Sequence, residues 1–231
     1  MKDVFLVDAD DTILDFHGAS ALAIRSAFAE CKIAWEERFL SVFKAVNDGL
    51  WEALERKEIT RKALIAKRFP LYLQTLGITS VNGEAFNRMY LQHLATHPIY
   101  VDGAQAFLEE LNTLGRVFIV TNGTEYIQKS RFDIAKLWGY AEDVFISDTI
   151  GADKPAKEYT NYVISHIRDF DQERAVWIGD SLSADIRAAN DAGITSIWFN
   201  PKRKTLTNQA KPDYNCSKFD EIIKIIRGIN S

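Results

Sequence analysis

Apolar side chains recur with two different periods along this chain, and the change of period divides it into segments. In residues 16–98 they return every three to four positions, which is the spacing of an amphipathic helix. Ala19, Leu22 and Ala23 begin the pattern, and no run in the segment resembles a strand. We therefore predict that residues 16–98 form an all-helical domain.

The rest of the chain alternates between short apolar runs and helical stretches. Strands are predicted at 4–7, 116–120, 143–147, 175–179 and 195–199, and helices at 125–137, 156–168, 182–192 and from 218 onward. Such alternation is typical of βαβ units around a mostly parallel sheet, and right-handed crossovers place helices on both faces. The predicted fold is α/β: a three-layer, doubly wound sheet of the Rossmann type from residues 1–15 and 99–231, with the helical domain inserted.

Composition narrows the class of protein. The 231 residues are 47% hydrophobic with only 5 Pro, which is typical of a globular chain. The net charge is −4 and the densest basic run, residues 202–204, is short, so we expect no nucleic-acid duplex as partner. Two cysteines support neither a disulfide framework nor a thiolate metal site. Without a signal-peptide pattern or an apolar stretch of about 20 residues, we expect a cytoplasmic protein that does not enter a membrane.

Polar residues that could take part in catalysis or binding follow the predicted strands. They are Asp8, Asp10 and Asp11 after the first strand, Thr121 and Asn122 after the second, Lys154 in the loop after the third, and Asp180 after the fourth. Parallel sheets bind ligands outside the carboxyl ends of their strands. We therefore expect these side chains to converge at one edge of the sheet.

Acidic residues at this edge, together with Asp185 shortly after Asp180, predict a metal ion. Four carboxylates (Asp8, Asp10, Asp180 and Asp185) near one lysine repel each other unless a cation joins them. Oxygen ligands without histidine or cysteine favour Mg²⁺, which usually binds one or two carboxylates together with phosphate oxygens of a substrate. A phosphorylated metabolite is therefore the expected partner.

A carboxylate beside Mg²⁺ can attack phosphorus and form an aspartyl phosphate, while a second group moves protons. Residues two positions apart on a strand share a face, so Asp8 and Asp10 suit these two roles. Asp11 faces the other way, and we expect it to serve a turn. The Thr121 hydroxyl and the backbone N–H groups near Asn122 can bind phosphoryl oxygens, with Lys154 supplying positive charge. The plain alternatives are helix caps for Thr121 and Asp180 and a first-turn helix acid for Asp185.

These motifs resemble those of the haloacid dehalogenase superfamily of phosphatases. The matching segments are Asp8-Ala9-Asp10-Asp11-Thr12, Val120-Thr121-Asn122-Gly123, Gly151-Ala152-Asp153-Lys154-Pro155 and Gly179-Asp180-Ser181-Leu182-Ser183-Ala184-Asp185. The helical domain lies where that superfamily places its cap. The resemblance implies that Asp8 is the nucleophile and Asp10 the acid and base, and that Thr121 and Lys154 bind phosphate. It further implies Mg²⁺ held by the Asp8 carboxylate, the Asp10 backbone carbonyl and Asp180, with Asp185 in support.

The helical domain bears on the substrate. Its segment 46–52 resembles the house-cleaning pyrimidine 5′-nucleotidases of the superfamily, which implies a nucleoside 5′-monophosphate. Asn47 and Trp51 are the candidates for substrate selection, although residues of these types in a helical domain more often belong to its core. A sugar-phosphate or phosphoglycolate-type phosphatase, a phosphomutase and a non-enzymatic phosphate- or nucleotide-binding regulator stay open. A dehalogenase is disfavoured, since its chemistry needs neither Asp10 nor a metal at Asp180. The sequence leaves the oligomeric state open.

Overall fold

A computed structural model describes residues 1–56, 58–206 and 210–230. The chain divides into two compact units, one formed by His17–His97 and the other by Met1–Phe16 together with Pro98–Ser231. None of the helices among the described residues is long and apolar enough to cross a membrane.

The first unit is built from four helices. They are α1 (Phe16–Glu30), α2 (Arg38–Glu55), α3 (Arg61–Leu76) and α4 (Gly83–Ala95). Aromatic rings fill its core: the centroids of Phe28 and Phe39 lie 4.5 Å apart, and those of Phe69 and Tyr90 lie 4.8 Å apart. Such pairs stabilise a core beyond the area that they bury. All regular secondary structure in the described part of this unit is helical, as predicted.

The second unit contains a six-stranded parallel sheet. Its strands are β1 (Val4–Asp8), β2 (Arg116–Thr121), β3 (Asp143–Ile146), β4 (Ala175–Gly179), β5 (Thr195–Phe199) and β6 (Tyr214–Cys216). They lie in the order β3-β2-β1-β4-β5-β6, so the order reverses on either side of β1. Ligands bind at this kind of switch point in open α/β sheets. The carboxyl end of β1 is therefore the expected position of the site.

Helices cover both faces of this sheet. They are α5 (Ala104–Leu114), α6 (Glu125–Ala135), α7 (Ser147–Ile150), α8 (Lys157–His166), α9 (Arg187–Asp191) and α10 (Phe219–Ile229). Along β1, Phe5 and Val7 pack into one apolar cluster with α5 and α10, whereas Leu6 packs into a second with α8 and α9. All five residues of β1 are buried, which explains its unbroken apolar run. The three-layer α/β fold is confirmed.

Each of the five predicted strands is present, but the helices differ in detail. The stretch 182–192 is not one α-helix: a π-helical turn, Leu182–Ile186, precedes α9. The backbone N–H groups of Asp185 and Ile186 both donate to the Ser181 carbonyl, at 3.0 and 3.1 Å, which widens this turn. The prediction also missed α5, whose apolar spacing does carry a helical signal, and β6, which is too short to show a period.

Candidate active site

The turn after β1 brings the first acidic residues to the edge of the sheet. Asp11 has φ of 61°, and its N–H donates to the Leu14 carbonyl at 2.7 Å, which closes the turn. Asp and Asn tolerate this left-handed conformation better than most residues. The Thr12 hydroxyl, now folded back, donates to Oδ2 of Asp8 at 3.0 Å. The turn thus orients one carboxylate oxygen of Asp8.

Lys154 joins two carboxylates in the buried part of the site. Its Nζ lies 2.6 Å from Oδ1 of Asp8, 2.6 Å from Oδ1 of Asp185 and 2.8 Å from the Val120 carbonyl. An ammonium has three donors, so all three are used. Burial alone would lower the pKa of Lys154, but the carboxylates of Asp185 and Asp8 outweigh it and raise that pKa. Lys154 is therefore a fixed positive charge.

Asn122 fixes the loop that carries this lysine. Its side-chain Nδ2 donates to the Lys154 carbonyl at 2.9 Å, and its Oδ1 accepts from the Lys154 backbone N–H at 2.8 Å. The two bonds tie the end of β2 to the loop after β3. The side chain of Asn122 therefore positions Lys154, while a phosphate contact of its backbone stays a prediction.

Asp185 belongs to the π-helical turn, which places its buried side chain beside the end of β4. Its Oδ2 accepts from the Ser181 backbone N–H at 3.2 Å, and its Oδ1 accepts from Trp177 Nε1 at 3.4 Å as well as from Lys154. A Cβ atom at Gly179 would lie only 2.6 Å from the Cβ of Asp185. The glycine that ends β4 is thus required for space, because Asp185 occupies the volume beside it.

Three carboxylates form a candidate metal centre. Oxygens of Asp8, Asp180 and Asp185 all lie within 4.8 Å of one another. Burial, then the charge of Asp185, raises the pKa of Asp8 well above its usual value. Burial, then the charges of Asp11 and Asp185, raises the pKa of Asp180 to about 7. Lys154 contacts Asp8 and Asp185, and the exposed Lys204 lies 3.7 Å from Asp180, so two ammonium groups face three carboxylates and negative charge remains in excess. This all-oxygen donor set fits a hard divalent cation such as Mg²⁺.

Asp11 serves the turn and also affects the electrostatics of the carboxylate cluster. The sequence predicts a turn role for this residue, and its conformation does serve the turn. Its charge nevertheless contributes to the raised pKa of Asp180, so it adds to the negative potential of the centre. Alternation along an ideal strand does not foresee this, because the left-handed turn interrupts the strand at Asp11.

Asp10 is held by two residues of α6 that the sequence analysis missed. Its Oδ1 lies 2.6 Å from Nη1 of Arg131, and its Oδ2 accepts from Nε2 of Gln128 at 2.9 Å. The same Nε2 lies 2.8 Å from Oγ1 of Thr121, and Oε1 of Gln128 accepts from Arg131 at 2.9 Å. The signal in the sequence was a pair of polar residues three positions apart, which share a helix face.

The family can now be decided by comparison with known proteins. The family model described as "haloacid dehalogenase-like hydrolase" matches residues 2–193, which is most of the chain. This chain belongs to that family. The sequence predictions of the superfamily and of a hydrolase are confirmed.

Several relatives of this hydrolase align along nearly their whole length. The HAD-hydrolase YfnB of Bacillus subtilis is 35% identical, with 96% of this chain and 94% of YfnB covered. Pyrimidine 5′-nucleotidase PynA of Streptococcus pneumoniae is 31% identical, with 94% and 92% covered. Pyrimidine 5′-nucleotidase YjjG of Escherichia coli is 24% identical, with 97% of each covered.

Solved structures share the fold of this hydrolase. The crystal structure of YfnB bound to magnesium has a TM-score of 0.93 and 35% identity, with 97% of this chain and 98% of that chain covered. L-2-haloacid dehalogenase from Xanthobacter autotrophicus has a TM-score of 0.75 at 16% identity, with 99% and 100% covered, which shows the fold alone.

In the helical unit of the hydrolase, the two predicted selection residues lie one turn apart on α2. Asn47 is buried, and its Oδ1 accepts a long hydrogen bond of 3.4 Å from Nη1 of buried Arg68. The Arg68 guanidinium also lies 5.2 Å from the ring centroid of Tyr90. Trp51 is half-buried, with the guanidinium of Arg61 5.7 Å from its ring centroid. Each predicted residue therefore has a cationic neighbour.

Proposed function

We propose that this hydrolase is a Mg²⁺-dependent phosphomonoesterase that forms an aspartyl phosphate on Asp8 and acts on nucleoside 5′-monophosphates. One observation carries the proposal: Asp8 is a buried carboxylate paired with Lys154 at 2.6 Å, and Asp10 lies two residues further along the same turn. The similarity to PynA and YjjG, both named as pyrimidine 5′-nucleotidases, supports the substrate class. A location in the cytoplasm stays a prediction.

In the first half of the reaction, an Asp8 oxygen forms a bond to phosphorus and the bond to the ester oxygen breaks. Asp10 donates a proton to that leaving oxygen, so the product departs as an alcohol. Lys154 holds the Asp8 carboxylate in place and offsets charge as it gathers. In the second half, Asp10 takes a proton from water, the water oxygen bonds to phosphorus, and the bond to Asp8 breaks to release phosphate.

The metal would be held by the carboxylates of Asp8 and Asp180 and by the Asp10 backbone carbonyl, with Asp185 in support. When bound, Mg²⁺ would supply positive charge that brings carboxylate and phosphate oxygens together. The Thr121 hydroxyl is proposed to bind a phosphoryl oxygen. These assignments fit the carboxylate cluster, in which burial and then the neighbouring carboxylates raise the pKa values of Asp8 and Asp180.

The test is a panel of nucleoside monophosphates, sugar phosphates and phosphoglycolate, assayed for phosphate release with and without EDTA. We expect the nucleotides to be hydrolysed fastest, EDTA to stop release, and Asp8→Asn to abolish it while the circular dichroism spectrum is unchanged. Substantial turnover by Asp8→Asn would reject Asp8 as nucleophile. A preference for sugar phosphates or phosphoglycolate would favour the sugar-phosphate or phosphoglycolate-type phosphatase. Isomerisation of a sugar phosphate without phosphate release would favour a phosphomutase. Binding without turnover would favour a regulator.

A further inference from the structure

Two residues of α6 lie in contact with the groups that are proposed to carry out the reaction. We propose that Gln128 and Arg131 are positioning residues: together they hold the Asp10 carboxylate in one orientation and link it to the Thr121 hydroxyl. The inference rests on the proposed function, since it assigns Asp10 the proton transfers.

The hydrogen bonds leave the Asp10 carboxylate little freedom. One oxygen is bound by Arg131 and the other by Gln128, at 2.6 and 2.9 Å, and Arg131 also fixes the Gln128 amide at 2.9 Å. Each of these bonds to Asp10 uses one lone pair of an Asp10 oxygen, so that a second lone pair stays available for the transferred proton. A proton donor must be held in line with the leaving oxygen to be effective, and a clamp on both oxygens provides this.

Arg131 is poorly explained as a purely stabilising residue. Its side chain is 1% exposed, and among the described residues its Nε and Nη2 atoms have no hydrogen-bond partner. Leaving buried N–H groups unpaired costs folding free energy. A chain selected for stability alone would use an apolar residue here. The strong bonds of Arg131 all go to Asp10 and Gln128, which points to a role in the site.

Gly123 supplies a second, independent observation. A Cβ atom there would lie 2.6 Å from Nε2 of Gln128, and closer still to the Cγ atom of that side chain. The φ of Gly123 is not in the left-handed region, so the glycine is needed for space and not for conformation. The turn after β2 is therefore shaped to seat Gln128 between Asp10 and Thr121.

The same contact orients Thr121. Its Oγ1 accepts from Nε2 of Gln128 at 2.8 Å, and a hydroxyl that accepts one bond still has its own proton to donate. Gln128 thus directs the Thr121 hydroxyl to act as a donor, which is the role that a bound phosphoryl oxygen requires. The Gln128 amide therefore orients both the proposed acid group, Asp10, and the proposed phosphate donor, Thr121.

The test compares two classes of substrate. The variants are Arg131→Met and Gln128→Met, and the control is Lys129→Met, which removes an exposed ion pair with Glu125 on the same helix. For the best alkyl phosphate of the panel we expect kcat/KM to fall about 30-fold or more, in line with the worth of general acid catalysis. For 4-nitrophenyl phosphate we expect less than about 5-fold, because 4-nitrophenolate leaves without a proton. Lys129→Met should change neither.

In Arg131→Met, equal losses for the two substrates would indicate general damage and would overturn the proposal, as would no loss at all. Arg131→Lys should regain part of the alkyl phosphate activity, because an ammonium can still bind one oxygen of Asp10. Gly123→Ala should show the same substrate-dependent loss, and this loss should largely vanish in a Gln128→Ala background, where no side chain is displaced.

A readout without turnover separates this inference from the proposed function. In crystals of the metal-free protein, Asp10 should occupy one side-chain rotamer in the wild type and several in Arg131→Met. An unchanged single rotamer in the variant would overturn the inference. If the wild type releases phosphate from no ester, the proposed function fails, but the rotamer comparison still decides whether Arg131 positions Asp10.

Discussion

Replacing Lys154 by methionine tests the charge balance of the site most directly. The methionine fills a similar volume but removes the ammonium that lies 2.6 Å from both Asp8 and Asp185. All three side chains are buried, so solvent screens the lost interactions only weakly. Removing one partner of a buried ion pair costs about 3–5 kcal/mol, because the other charge is left uncompensated. We expect about 3 kcal/mol for Lys154→Met, near the lower limit, since protonation of Asp8 can relieve part of the repulsion.

The assay is urea unfolding in EDTA at neutral pH, followed by circular dichroism. The matched control is Lys129→Met, whose ion pair with Glu125 is exposed and is expected to contribute less than about 0.5 kcal/mol. A second variant, Lys154→Met with Asp185→Asn, removes one of the stranded charges but keeps an oxygen acceptor for the Ser181 N–H. We expect this double variant to be no less stable than Lys154→Met alone.

A loss below about 1 kcal/mol in Lys154→Met, or a double variant that loses the sum of the two single losses, would refute the reasoning. Additivity is expected only of residues that do not interact. Either outcome would mean that Lys154 does not offset the charges of Asp8 and Asp185. The proposed role of Lys154 in holding the Asp8 carboxylate would then be wrong.

Three further predictions concern the metal centre and the helical unit. The pKa of Asp180 is about 7 in the folded protein against 3.8 for a free carboxyl, so the folded state binds more protons between these values. Stability of the metal-free protein should therefore fall as pH rises from about 4 to about 7, and the rise in Tm on adding MgCl₂ should be larger at pH 8 than at pH 5 in scanning fluorimetry. Gly179→Ala should displace Asp185 and weaken Mg²⁺ binding, measured by calorimetry, about 10-fold or more, because a residue that supports the metal ligands is lost. Unchanged affinity would show that Asp185 is not needed for Mg²⁺ binding. Asn47→Ala should raise KM for nucleoside monophosphates by roughly 10-fold, which corresponds to the loss of one hydrogen bond to a charged group. KM for 4-nitrophenyl phosphate should change little. Equal changes for both substrates would show that Asn47 does not select the substrate.

The sheet edge was predictable because strand ends are visible in a sequence. Asp8, Thr121 and Asp180 stand where apolar runs stop, and parallel strands bring such positions to one edge whatever the details of packing. The carboxylate cluster followed from that placement, and the chemistry of its oxygen atoms led to the prediction of a metal ion. Asp185 was counted among the carboxylates and received its supporting role from the resemblance. Its approach to the site was not predictable, because it depends on the π-helical turn, which the pattern of residues 182–192 does not reveal.

Contacts made by helix faces were not predictable in the same way. Gln128 and Arg131 share a face of α6, but the sequence does not tell which side of the sheet edge that face meets. Asp10 also leaves the strand alternation, because the next residue, Asp11, adopts a left-handed conformation. The direction of the Asp10 carboxylate is therefore a property of the turn and of α6 together, and only three-dimensional packing fixes it.

Gly123 and Gly179 show how the two strands beside β1 admit side chains to the site. Neither glycine has a left-handed φ, yet a Cβ at either would overlap a polar side chain from the segment that follows. Gly123 makes room for Gln128, which binds Asp10, and Gly179 makes room for Asp185, which binds Lys154. Since Lys154 in turn binds Asp8, the missing Cβ atoms at the end of β4 and in the turn after β2 let Asp185 act on Asp8 through Lys154 and let Gln128 contact Asp10 directly. The space left by these glycines, as much as the acidic residues themselves, therefore determines the geometry of the centre.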